Sequence, residues 1–133
     1  MSRFRQIVEE ILSSKDQPIF YDSVRDIVSS LLSYFEIDQS DIAEEYWRDT
    51  GSFWLVLSIK HEPPYYKEEV LRLKTRISEI NNYFKGMLQI SLKKSKNQNV
   101  YEYINYEIDI IFHEGVDTDD IIGLLRLKGL WRP

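Results

Sequence analysis

Glu107 and Asp109 stand two residues apart in a segment that alternates polar and apolar side chains, so both carboxylates project from one face of a strand. Paired carboxylates in unlike surroundings can split their pKa values and serve as acid and base. These two residues are therefore the enzymatic alternative for this chain. The competing role for them is an ion pair with Lys93 or Lys60 on neighbouring strands. His61-Glu62 and His113-Glu114 begin like a zinc-protease helix, which needs HExxH to set two imidazoles on one face. The fifth positions are Tyr65 and Asp117, and a breaker follows each Glu, Pro63 in one case and Gly115 in the other. The run DTDD at 117–120 has Ile122 and Lys128 where a calcium loop needs Gly and Glu. With no Cys, thiolate metal sites, disulfides and Cys nucleophiles are excluded. Phosphate-cradling glycine loops and nucleophile-elbow motifs are missing as well. No catalytic residue, metal or cofactor is expected, and the favoured reading is a protein that is not an enzyme.

Two surfaces suited to binding remain. The segment 36–49, EIDQSDIAEEYWRD, has six acids against one base. Within it Asp41, Glu44, Glu45, Tyr46, Trp47 and Asp49, with Trp54 close by, combine aromatic rings with carboxylates. Interfaces favour Tyr and Trp at their centres, while charged rims steer the partner. This set is the expected docking site for a protein with a basic surface. The module would be an adaptor, an inhibitor of the immunity-protein kind or a chaperone-like subunit. Immunity proteins and secretion chaperones share its size and acidity, an analogy with no motif behind it. The alternative surface is the sheet face carrying Trp54, Tyr101, Tyr103 and Lys93, where rings beside lysines could stack single-stranded nucleic acid. Glu107 and Asp109 on that face would repel phosphates.

The elements that must position these residues follow from periodicity. Residues 3–14 place Phe4, Ile7, Val8, Ile11 and Leu12 on one helical stripe. A second helix runs to about Phe35 on Val24, Ile27, Val28, Leu31 and Phe35, and starts either at a Ser23–Asp26 capping box or a turn earlier at Pro18. SFWLVLSIK at 52–60 alternates as a strand with one buried face. Residues 42–48 read as its hairpin partner across the DTG turn, or as a short helix. Pro63-Pro64 break the chain before a third helix at about 65–84. Leu88, Ile90 and Leu92 open a second hairpin whose return strand, about 100–112, turns Ile104, Tyr106, Ile108, Ile110 and Phe112 to one side. A fourth helix starts at the cap Asp117 or Thr118 and stops at Gly129.

The order α-α-(β)-β-α-β-β-α predicts an α+β two-layer domain: a three- or four-stranded, mostly antiparallel sheet with an N-terminal helix pair and two further helices. The 133 residues suit a single domain, 1–35 forming the helical pair and 42–133 the α/β core. The longest uninterrupted apolar run, Phe53–Leu57, is far short of the roughly 20 residues that cross a bilayer. No signal-peptide pattern is present. A cytoplasmic protein with no membrane contact is expected, with a homodimer kept open. Residues 1–66 carry a net charge of −6 and residues 67–133 a net of +1, so the acidity lies in the first half.

Overall fold

The computed structural model describes residues 17–48, 52–60, 65–96 and 103–133. It shows an α+β fold with the expected order. The stripe at 3–14, the first helix of the expected pair, lies outside the described residues. Helix α1 is Gln17–Tyr34, strand β1 is Ile42–Arg48 and β2 is Ser52–Lys60. Helix α2 is Tyr65–Tyr83, strands β3 and β4 are Leu88–Lys94 and Tyr103–Phe112, and helix α3 is Thr118–Leu127.

The earlier of the two expected starts is the one α1 takes, with Pro18 in its first turn, where a missing N–H costs no helical hydrogen bond. Ser23 and Asp26 are interior to the helix. At its other end the N–H of Ile37 donates to Leu32 O at 3.1 Å and that of Glu36 to Ser33 O at 3.0 Å. This paired cap needs a left-handed residue between helix and exit. The position is filled by Glu36, with φ 56°. Helix α3 ends in the same way with glycine: Leu130 donates to Leu125 O, Gly129 donates to Arg126 O, and Gly129 has φ 74°. The start of α3 is capped by Asp117, whose carboxylate accepts from the N–H of Asp119 at 2.9 Å.

Residues 42–48 are a strand, antiparallel to β2, with a bulge between Ile42 and Glu44. The four strands stand in the order β1-β2-β4-β3, with every neighbouring pair antiparallel. Phe53, Leu55, Leu57 and Ile59 of β2 face Ile110, Ile108, Tyr106 and Ile104 of β4. Leu88, Ile90 and Leu92 of β3 join the same side. Helices α1, α2 and α3 all contribute to one buried cluster with this face, including Leu31, Phe35, Ile80, Phe84, Ile121 and Leu125. The described helices thus form a single layer. After α3 the chain returns to α1, where the N–H of Arg132 donates to the buried Ser30 hydroxyl at 2.7 Å.

The two outer strands are finished differently. On β3 the side chain of Asn81, from α2, bonds the main chain of Ile90 twice. Its Nδ2 donates to Ile90 O at 2.8 Å, and the N–H of Ile90 donates to its Oδ1 at 2.7 Å. The amide thereby supplies the donor and acceptor that a neighbouring strand would offer.

Two stability outcomes follow from these ends. Asn81→Ala should lower unfolding free energy by about 1–3 kcal/mol, because both Ile90 groups lose their partners. A urea midpoint equal to that of the parent would contradict the double bond. Glu36→Gly should be about 1 kcal/mol more stable than Glu36→Ala, since alanine keeps the left-handed strain that glycine relieves. The reverse order in the same titration would exclude a left-handed residue 36.

Candidate functional site

The acidic aromatic set divides between the two faces of the sheet. Cross-strand pairing sets Trp47 opposite Phe53 and Tyr46 opposite Trp54. Trp47 is half-buried at the margin of the core, its ring 4.7 Å from that of Phe53. Tyr46 and Trp54 lie on the face away from the helices, with ring centroids 4.8 Å apart and planes inclined by 47°. Tyr46 is 41% exposed. Glu44 lies on that face opposite Val56, and Glu45 points to the helix side opposite Leu55. Residues 43–46 are all exposed, on both faces of the strand. Asp41 stands just before β1 in a short 3-10 turn, Gln39–Asp41. Partial burial, and then the charge of Asp38, hold its carboxyl above the usual carboxylate range. Asp49 lies outside the described residues.

The sheet-face set meets the first set at Trp54. The indole N–H of Trp54 donates to Glu107 Oε1 at 3.1 Å, so Glu107 is held by an aromatic donor across the β2–β4 ladder. The register places Asp109 opposite both Trp54 and Ser91, and Glu107 opposite both Val56 and Lys93. Lys60, the other lysine considered for these acids, stands opposite Tyr103 at the far end of β2. Two carboxylates therefore lie between the Trp54 ring and the β3 lysine. Tyr103 is exposed, and Tyr101 lies outside the described residues. The Ser58 hydroxyl donates to Asn105 Oδ1 at 2.6 Å on the same face. A depression of about 500 Å³ opens here, walled by Glu44, Trp54, Glu107, Asn105, Lys93 and Lys96. Its walls carry both signs of charge, and Ala43, Trp54 and Val56 form the apolar part of its lining.

A further polar cluster joins α1 to α2, and sequence reading missed it. The Tyr34 hydroxyl donates to Glu79 Oε2. Arg76 Nη1 donates to Tyr34 O at 2.5 Å and its guanidinium lies 5.1 Å from the centre of the Tyr34 ring. Glu36 Oε2 lies 3.2 Å from Arg72 Nε and 3.5 Å from Arg76 Nη1. Arg72 of α2 thus turns to Glu36 beyond the end of α1. Both ion pairs are substantially exposed, so each contributes about 0–1 kcal/mol. The cluster fixes how α1 meets α2. Its partners lie more than thirty-five residues apart in the chain, and no local spacing signals them.

Among the described residues no three His, Asp or Glu side chains converge to hold a metal ion, and no helix is long and apolar enough to cross a membrane. His113 is exposed just beyond β4, and His61 lies outside the described residues. No protein-family model, curated protein or solved structure matches the chain.

Two tyrosines give the molecule an alkaline limit. The hydrogen bond to Glu79, then burial, push Tyr34 up to about 12. Burial, then the bond to Tyr66 at 2.5 Å between hydroxyls, push Tyr106 up to about 12. Both values exceed the ordinary 10.0, so folding favours the protonated phenols. Their stabilising effect is complete below pH 10 and is lost as pH rises towards about 12. Urea midpoints measured across that window should fall less steeply for Tyr34→Phe and for Tyr106→Phe than for the parent. Parallel curves for the three proteins would refute the assignment.

Proposed function

We propose that this chain is a non-catalytic protein-binding module of the cytoplasm, an adaptor, inhibitor or chaperone-like subunit, that docks a protein with a basic surface. The observation that supports it is the outer strand β1, where residues 43–46 are exposed on both faces and carry Glu44, Glu45 and Tyr46. An exposed strand with a carboxylate on each side attracts cations from either face of the sheet. Tyr46 and Trp54 add adjoining aromatic area on the outward face, of the kind that interface centres use. Trp47 supports β1 from the helix side through Phe53. A homodimer through two β1 strands would set Glu44 and Glu45 close to their own copies, a repulsive arrangement. Nucleic acid is the less favoured partner, because Glu107 and Asp109 lie between Trp54 and Lys93.

The reading is tested with a fluorescently labelled peptide rich in Lys and Val, and a control with every Lys replaced by Glu. Fluorescence anisotropy at low salt should show binding of the first and none of the second. The Glu44→Lys/Glu45→Lys variant should bind the basic peptide about tenfold more weakly or worse, and added salt should weaken the parent complex. Both substitutions lie on an exposed strand, and circular dichroism will show whether the fold is kept. Equal binding by parent and variant would remove β1 from the site, and failure of any basic peptide to bind at low salt would overturn the reading.

A further inference from the structure

We infer that the partner binds as an added β-strand: an extended segment with Lys or Arg on both of its faces pairs its main chain with the outer edge of β1 and makes the sheet five-stranded. The inference rests on the reading above and specifies its geometry. A four-stranded antiparallel sheet of order β1-β2-β4-β3 has two outer edges. The β3 edge is closed at its middle by Asn81, which takes up both the N–H and the C=O of Ile90. No comparable side-chain bond reaches Ala43, Glu44 or Glu45 among the described residues. Among the described residues the same fold has thus built a cap at Ile90 on one edge and none at Ala43–Glu45 on the other. An exposed edge is a template for a further strand.

Charge selects what that strand is. Glu44 and Glu45 point to opposite faces of the sheet. A strand laid beside β1 presents its own side chains alternately to the two faces. Cationic residues on both faces of the ligand therefore meet a carboxylate each, in the cross-strand positions where opposite charges attract. Tyr46 stands next along β1 on the outward face, 41% exposed, and covers an apolar neighbour in the ligand. The bulge between Ile42 and Glu44 breaks the regular ladder at the start of β1, so pairing runs from Glu44 towards Arg48.

A second copy of the chain fits this edge poorly. Its β3 carries Lys93 and Lys94, which suit β1 in charge, but the middle of that edge is already bonded to Asn81. Its β1 repeats Glu44 and Glu45 and repels. The occupant is a different chain, basic and extended.

Main-chain pairing can be separated from simple attraction by N-methylation. The probe is a peptide of about eight residues, the length of an ordinary strand, with an adjacent Lys-Lys pair at its centre and Val at the other positions, so that one Lys falls on each face. Two further versions carry N-methyl groups on alternate amides, one set on each edge of the extended peptide. If the peptide adds to β1, one methylated version should bind at least about tenfold more weakly and the other should bind like the parent peptide. Hydrogen exchange at Glu44–Trp47 should slow when the parent peptide is bound. If both methylated versions bind like the parent and Glu44→Lys/Glu45→Lys still abolishes binding, strand addition is overturned and the basic partner stands. If no version binds at low salt, the partner reading falls, and this inference falls with it. Sedimentation of the protein alone should show a monomer. A dimer that Glu44→Lys/Glu45→Lys dissolves would give the edge to a second copy and overturn the inference.

Discussion

The β2–β4 ladder is the interaction on which the remaining structure depends. Nine cross-strand pairs join segments about fifty residues apart. Every second pair is apolar, from Phe53 with Ile110 to Ile59 with Ile104, and these pairs form the floor against which the three described helices pack. The pairs between them hold Trp54 with Asp109, Val56 with Glu107 and Ser58 with Asn105. Because side chains alternate with a period of two, a slip of one residue would carry Glu107 and Asp109 into the core. Burying two carboxylates without cationic partners costs far more than any alternative ladder returns. One register is therefore strongly preferred, and the outward polar face is a consequence of the inward apolar one.

The same ladder decides which strands become edges. With β2 and β4 central, β1 and β3 can each pair on one side only. Helix α2 returns the chain from β2 to β3 and passes Asn81 within reach of Ile90, so the cap on β3 comes from the crossover itself. The described partners of α1 lie elsewhere. Its end is tied to α2 by Glu36, Arg72, Arg76, Tyr34 and Glu79, and its buried Ser30 to the chain after α3. Residues 43–46 of β1 are left exposed, and under the proposed reading the charges on them govern how the strand meets other chains.

Strands β2, β3 and β4 were legible because each keeps a two-residue alternation and is bounded by Gly, Pro or polar runs. The helices at 65–83 and 118–127 were legible from their stripes and caps. Residues 42–48 were ambiguous for a physical reason: an outer strand exposed on both faces has little to bury, so Ala43, Glu44 and Glu45 leave no alternation to read. The end of α1 was read to within a residue, about Phe35 against Tyr34, but from its apolar stripe alone, because glutamate occupies the left-handed position that usually announces itself with glycine. Asn81 gave no sign at all, since its role exists only once α2 lies beside β3. In the candidate site, the residue types around β1 were visible as a cluster. Their division, with Trp47 to the core and Tyr46 to the outward face, needed the register of β1 on β2.

Charge on an outer strand ordinarily prevents sheets from joining at their edges. Glu44 and Glu45 do this for β1 against its own copy, because like charges would meet across the new ladder. They do not do it against a cationic strand, where the same carboxylates attract. Asn81 acts on β3 by a different means, occupying hydrogen-bonding groups whatever the charge of the visitor. The distinction matters because Lys93 and Lys94 on β3 would otherwise complement Glu44 and Glu45 on a neighbouring molecule and allow head-to-tail growth of the sheet without closure. With one edge bonded at Ile90 by Asn81 and the other carrying like charges at Glu44 and Glu45, joining of two copies through these edges is disfavoured, and under the proposed reading β1 stays open to a basic strand. The need for both devices follows from carrying opposite charges on the two edges of one sheet.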